Sequence, residues 1–167
     1  GSGLVGSEMC IRDSSNSGGW ESSNMRTAIC GTSLSSYSGT IIAVIPAALR
    51  AVLKSVTKYT NNTGNSSAAS AVTATTDYFF LLSEYEVFGS TTYANSNEAS
   101  KQAQYSYYSA GNSKVKYNHS ATSTAVNWWL RSPVASVSTL FVGVGTGGTV
   151  NIGNAYYSDG FAPGFCV

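Results

Sequence analysis

The residues that could do chemistry in this chain are few and scattered. The single histidine, His119, lies in a polar loop with Lys114 and Lys116. A metal site draws on several His, Cys or carboxylate ligands at set spacings, so a lone loop histidine reads as a solvated side chain. A hydrolytic triad would also have to use His119, and nothing beside it is marked as a nucleophile. The run GVGTGG at residues 143–148 lacks the Lys-Ser/Thr of a phosphate loop and opens no helix, so it predicts hairpin turns. Acidic ligands for a hard cation are scarce. No catalytic residue, cofactor or metal is therefore expected.

The charged residue that stands out is Arg131, inside the motif NWWLRSP at residues 127–133. On a strand, Trp128 and Leu130 face one side while Trp129 and Arg131 face the other. Adjacent tryptophans put large apolar area on both faces, which predicts a central strand. An unpaired buried charge is very costly, so Arg131 needs a partner, and Glu84 and Glu86 are the candidates. A structural ion pair is the plainer reading; a ligand-contacting arginine is the sharper one. Of the cysteines, Cys30 and Cys166 are expected to be thiols by default, with a bridge left open.

The elements that position these residues follow from periodicity and caps. Residues 22–30 read as a short helix, with Met25 and Ile29 one turn apart and Gly31 just past the end. A second helix is predicted from Pro46, with Ile45, Leu49, Val52 and Leu53 as its apolar stripe. A strand over 54–60 and a polar loop over 61–70 follow. Residues 77–89 begin as a buried strand and bend into a short helix or turn near Ser83. A third helix is predicted from Asn95, with Glu98 completing a capping box, to about Ser109. Strands over 127–132, 139–144, 149–152 and 161–167 close the chain, separated by glycine-rich turns. Helices first and short strands later predict an α+β domain with mainly antiparallel, twisted strands. Asn61, Asn65 and Asn118 sit in glycosylation sequons, which chains rich in Ser, Thr and Asn generate by chance.

Residues 4–13, LVGSEMCIRD, back-translate to a transposase-type sequencing adapter read in frame. The expectation is that residues 1–14 are artefact and that 15–167 form one domain, with an upstream region, signal or partner domain missing. Setting aside Glu8, Arg12 and Asp13 leaves eight basic and six acidic residues. That weak charge points away from nucleic acid. The longest apolar stretch, residues 41–53, is broken by Pro46 and Arg50, so no membrane span is expected. A composition rich in Ser, Thr, Asn, Gly and Tyr suits an extracellular, cell-surface or virion domain.

GGWESSNMR, VTKYTNNTG, TTDYFFLLSEYEVFG, NWWLRSP and the closing GFAPGFCV occur in this order over residues 17–167. Together they resemble a family of uncharacterised bacterial and phage proteins, a domain of unknown function common in gut Firmicutes. That family is similar to the C-type lectin fold, in the branch shared with formylglycine-generating-enzyme-like proteins. It includes targets of diversity-generating retroelements, which mutate adenines near the 3′ end of a gene. The enzymes of that branch need a late cysteine pair or clustered histidines, and only Cys166 and His119 are present. The calcium-dependent lectin motifs are absent too. The resemblance thus implies a non-catalytic ligand-binding or display domain for a protein or glycan. Its candidate contacts are Ser136, Ser138, Asn151, Asn154, Tyr156, Tyr157 and Asp159, residue types that binding loops favour. Residues 134–159 contain no Lys, Glu, Gln, Trp or Met, as adenine mutagenesis of AAY codons requires. A purely structural module of a virion or surface protein is the alternative; an enzyme completed elsewhere is the remaining one.

Overall fold

The computed structural model describes Ile11 and residues 14–167. Among them the chain is a mixed α+β domain of short helices and small antiparallel sheets. A three-stranded sheet, β6 (Trp128–Pro133), β7 (Leu140–Val144) and β8 (Val150–Asn154), lies at its centre. The GVGTGG segment closes the β7–β8 hairpin, with Gly145 and Thr149 joined at its neck. Two-stranded sheets surround this unit. Strands β1 (Val56–Asn61) and β2 (Val72–Asp77) pair in register, while β3 (Phe79–Phe80) pairs with β9 (Gly164–Phe165). Strands β4 (Lys116–Tyr117) and β5 (Ala125–Val126) form a small flap.

The central sheet separates two cores, as the alternation in NWWLRSP requires. Trp129 and Phe141 join Trp20, Met25, Phe79 and Leu81 on one side. Trp128, Leu130, Val142 and Val144 join Val87 and Tyr108 on the other. Strand β6 is not central, however; β7 is, and β6 lies at the edge. Its open side is covered instead by loops: the Trp129 amide donates to Gly160 and the Arg131 amide to Leu82. All six β6 residues are thereby buried although no full strand lies on the outer side. Two tryptophans predict burial on both faces, but they do not say whether a strand or a loop supplies the hydrogen bonds.

Helical segments are shorter than their apolar patterns suggest. The first predicted helix is a π-helical turn, Met25–Cys30, ended by Gly31 at φ 81°. Helices α1 (Ile41–Val44) and α2 (Ala47–Arg50) are single turns, and Val52 of the predicted stripe is exposed. Arg50 accounts for the break: its guanidinium donates to the carbonyls of Ile42, Ala43 and Ile45, tying α2 back onto α1. Helix α3 (Glu84–Phe88) starts where expected, with Ser83 and Glu86 forming a reciprocal capping box and Gly89 ending it. The third predicted helix is a 3₁₀ segment, Ser96–Lys101, and a separate turn α4, Ser106–Ser109. Asn95 caps the first of these, but Glu98 points inward rather than back to the cap. The expected 161–167 strand is reduced to the two residues of β9. Strand β2 lies in a segment of alternating Thr and Ala that gave no apolar signal.

The start of the described chain is stapled to the sheet. Asn16 Nδ2 lies 2.8–3.0 Å from the carbonyls of Val134, Val137 and Leu140, and its amide donates to Ser138. Its side-chain oxygen accepts from Asn65. Ile11, inside the stretch read from sequence as adapter, is buried in the first core, and its carbonyl accepts from Met25. Residues 1–10, with Cys10, and 12–13 lie outside the described residues. Cys30 is a buried thiol and Cys166 a partly buried one, both free. Asn61 is wholly buried and bonds the carbonyls of Gly64 and Ser66, so its sequon is a structural turn.

Two glycines are fixed by space. A Cβ at Gly64, which has φ 93°, would lie 2.3 Å from the Asn16 carbonyl oxygen; one at Gly153 would lie 2.7 Å from the Trp129 ring. Gly64→Ala faces immovable backbone at a left-handed φ, while Gly153→Ala faces a ring packed on all sides. Each is expected to cost about 1–3 kcal/mol by urea denaturation. A loss below about 0.5 kcal/mol at either would contradict the packing described.

Candidate functional site

The charged motif residues converge below the surface. Arg131 has no exposed area, and its amide, two residues on from that of Trp129 and so on the same open edge of β6, donates to Leu82. Its Nε donates to Thr60 Oγ1 at 2.8 Å. Nη1 reaches the Leu81 carbonyl at 2.7 Å and Glu86 Oε2 at 2.5 Å. Nη2 reaches Gln102 Oε1 at 3.0 Å and the Tyr59 carbonyl at 3.4 Å. Five donors thus find five acceptors, the full capacity of a guanidinium.

Of the two candidate carboxylates, only Glu86 pairs with Arg131. Glu86 also accepts from the Ser83 amide and from Lys58 Nζ at 2.9 Å. Burial pushes its carboxyl up, but the charge and hydrogen bond of Arg131, the charge of Lys58 and the Ser83 amide outweigh that. The group rests at about 2. Glu84, two residues away, is cradled instead by three successive amides, those of Thr92, Tyr93 and Ala94. Asp77 plays a matching part under the first core, accepting from Trp20 Nε1, Thr75 Oγ1 and Arg26 Nε. Asp77, Glu84 and Glu86 are therefore engaged in holding chain segments together.

Glu98 completes the set. It is fully buried, accepting from the Asn61 amide at 3.0 Å and from Ser132 Oγ at 2.7 Å. Burial dominates and raises its carboxyl to about 7, helped by nearby Glu84 and opposed by the two donors and by Arg131. No cation touches it, which is why burial wins here and loses at Glu86. Among the described residues, no group of three or more His, Cys, Asp or Glu side chains gathers where it could hold a metal ion. His119 is exposed and hydrogen-bonded to the neighbouring Ser120 hydroxyl.

The sequence-predicted contacts do not form one patch. Ser136 and Ser138 lie exposed in the β6–β7 turn, and Tyr156 and Tyr157 just after β8. The pairing of Leu140 with Asn154, and the bond from the Ala155 amide to Thr139, bring that turn and those tyrosines to one end of the sheet. The two rings pack edge to face at 5.0 Å. Asn151 pairs with Gly143 and lies on the Trp129 face, whereas Asn154 pairs with Leu140 on the opposite face. Asp159 is half-buried beside Gly153 on the Trp129 face.

Elsewhere the structure builds a cleft that the sequence reading did not single out. A cavity of about 300 Å³ is walled by Phe80, Tyr105, Tyr107, Tyr108, Phe165 and Lys116. A second, of about 370 Å³, lies on the other side of Tyr105, with Lys58, Tyr59, Lys101 and Gln102 in its walls. Tyr105 is fixed between them: its amide donates to Glu86, and its hydroxyl accepts from Lys58 Nζ at 2.9 Å. The Lys58 ammonium also lies 4.0 Å above the Phe80 ring. The cluster YSYYS at 105–109 was the available signal, because three tyrosines within four residues of a weakly charged chain exceed what one core needs.

The chain matches the family described as Domain of unknown function (DUF6273) over residues 4–167 and belongs to it. The match begins inside the stretch read as adapter. No curated protein and no solved structure matches the chain. Among the described residues, no helix is long and apolar enough to cross a membrane.

The two contrasting carboxyls give opposite pH responses. The folded protein holds a proton on Glu98 that the unfolded chain releases, so its stability should fall as pH rises from about 4.5 to 7. Glu86 acts the other way, and its contribution is lost as pH falls from about 4.5 towards 2. Glu98→Gln keeps the shape without the charge. It is expected to flatten the neutral-side slope and to exceed the parent above pH 7 by on the order of 2 kcal/mol. Thermal unfolding across that range checks this; a parent stability flat from about pH 5 to 7 would contradict it.

Proposed function

We propose that this member of the family is a non-catalytic ligand-binding domain displayed on a bacterial or phage surface, built on a C-type-lectin-like fold. Its ligand is met at the sheet end that carries Ser136, Ser138, Tyr156 and Tyr157, with Asn154 and Asp159 near them and Asn151 farther along β8. The observation that carries this reading is two adjacent exposed tyrosines, 53% and 46% accessible, on a rigid base. That base is buried Ala155, whose amide is bonded to Thr139, and the Tyr157 amide is bonded to Asn154. Tyrosine supplies large contact area at low entropy cost, and the serines of the facing turn supply adaptable hydrogen bonds.

Two further features support it. The acidic motif residues Asp77, Glu84 and Glu86 and their partners are occupied in holding the framework, which leaves binding rather than proton transfer to the surface. The segment 134–159 alternates buried strand residues with exposed turns, so exposed positions can vary without touching the cores. That is what diversification of a binding surface requires.

Deep sequencing of the gene's 3′ end across natural populations is expected to find adenine-derived substitutions concentrated at positions 136, 138, 156 and 157, with Trp129, Arg131 and Phe141 constant. An unvarying 3′ end would remove diversification from the account. The double variant Tyr156→Ser/Tyr157→Ser is expected to unfold within about 0.5 kcal/mol of the parent in urea. A loss above about 2 kcal/mol would assign the rings to the framework and remove them from the binding surface.

A further inference from the structure

We propose that the cleft on either side of Tyr105 is a second binding site, whose ligand is an acidic oligosaccharide: sugar rings against Tyr105, Tyr107 and Phe165, with a carboxylate or sulfate group against Lys116. The cleft is separate from the sheet end described above and does not rest on that reading.

Charge is the first observation. Four cationic side chains, Lys58, Lys101, Lys116 and Arg131, line the two cavities against one carboxylate, Glu86. Glu86 is already consumed by Lys58 and Arg131. Lys101 and Lys116 have no carboxylate partner among the described residues; their neighbours are rings, Tyr59 at 5.9 Å and Trp128 at 5.7 Å. Lys116 is half-buried, and loss of water lowers its pKa. A cation kept in an apolar cleft without an anion stores unmet electrostatic demand, which an anionic ligand would satisfy.

Shape is the second. Tyr107 is 55% exposed and Phe165 44%, although both wall a concave site and could have been buried by a larger loop. Each of the two cavities is of the size that holds a small-molecule unit, and Tyr105 lines both. The C–H faces of sugar rings suit such rings, and the hydroxyls of Thr57, Tyr59, Ser106 and Tyr107 can exchange hydrogen bonds with sugar hydroxyls. Tyr105 is held by Lys58 and by the Glu86 carbonyl, so the central platform needs no ordering on binding. An extended acidic peptide is the less suited partner, since it would gain most from a free strand edge, and these walls are side-chain faces.

The test is titration calorimetry of the whole chain with uronate-, sialic-acid- and sulfate-bearing oligosaccharides, each beside its neutral parent, and with polyglutamate. At least one acidic sugar is expected to bind about tenfold or more tighter than its neutral parent, and to weaken as salt is raised. Lys116→Met should erase that preference, and Tyr107→Ala should weaken the acidic and the neutral sugar alike. Each variant's unfolding midpoint is measured alongside, and Lys116→Gln serves if Lys116→Met fails to fold. The proposal is overturned if no acidic sugar binds, if neutral parents bind equally well, if polyglutamate matches the best sugar, or if the folded Lys116 variant keeps the preference. The gene survey above reads different residues, so either idea can fail while the other stands.

Discussion

A guanidinium buried without water must find an acceptor for each of its five hydrogens, and the architecture of this domain is arranged around that demand for Arg131. Its acceptors come from four separate places in the chain: β1, the turn after β3, the first turn of α3 and the residue following the 3₁₀ segment. None of these segments is long enough to be stable alone, and several are a single helical turn or a two-residue strand. The arginine gives them a common anchor, and the edge position of β6 sets its amide against Leu82. Replacing such a charge by apolar side chains can be tolerated only when all partners are replaced together; removing one partner strands the rest.

The same anchor reaches the surface through a short relay. Glu86 caps α3, neutralises Arg131 and holds Lys58; Lys58 in turn fixes the hydroxyl of Tyr105 at the middle of the cleft. Framework and cleft are therefore built from one network, and only its last residue faces solvent. The sheet end is different. Its tyrosines and serines are carried by β7, β8 and the turn that Asn16 holds, and their positions rest on backbone bonds and on that neutral amide. One surface is thus pre-organised by buried charge, and the other is carried by a neutral turn and hairpin end.

The framework was largely legible in the sequence. NWWLRSP announced a buried strand with a tryptophan on each face and an arginine in need of a carboxylate, and residues 77–89 announced a strand that bends near Ser83. Side-chain periodicity carried the first; the Ser83–Glu86 capping box was not read from the sequence. What it could not carry was the supply of backbone partners: β6 is satisfied by Gly160 and Leu82, loop residues far away in sequence. Nor could it separate Glu84 from Glu86, two positions apart on a short helix, because only the tertiary fold decides which faces Arg131 and which meets the 92–94 amides. The predicted helix over 95–109 failed for a related reason. Glu98 looked like a capping residue, but burial against Asn61 and Ser132 claimed its side chain, and the chain breaks before Tyr105 so that Tyr105 can reach Lys58. The candidate contacts at 134–159 were chosen by residue type, and type alone cannot tell that Asn151 and Asn154 lie on opposite faces.

The most direct test of this account is a double-mutant cycle in urea between Arg131→Met and Glu86→Gln. If the two residues form one anchored unit, the double variant is expected to lose less stability than the two single losses added together, with a coupling of about 1–3 kcal/mol. Losses that add to within about 0.5 kcal/mol would show two independent residues, and the claim that the domain is built around this pair would be wrong.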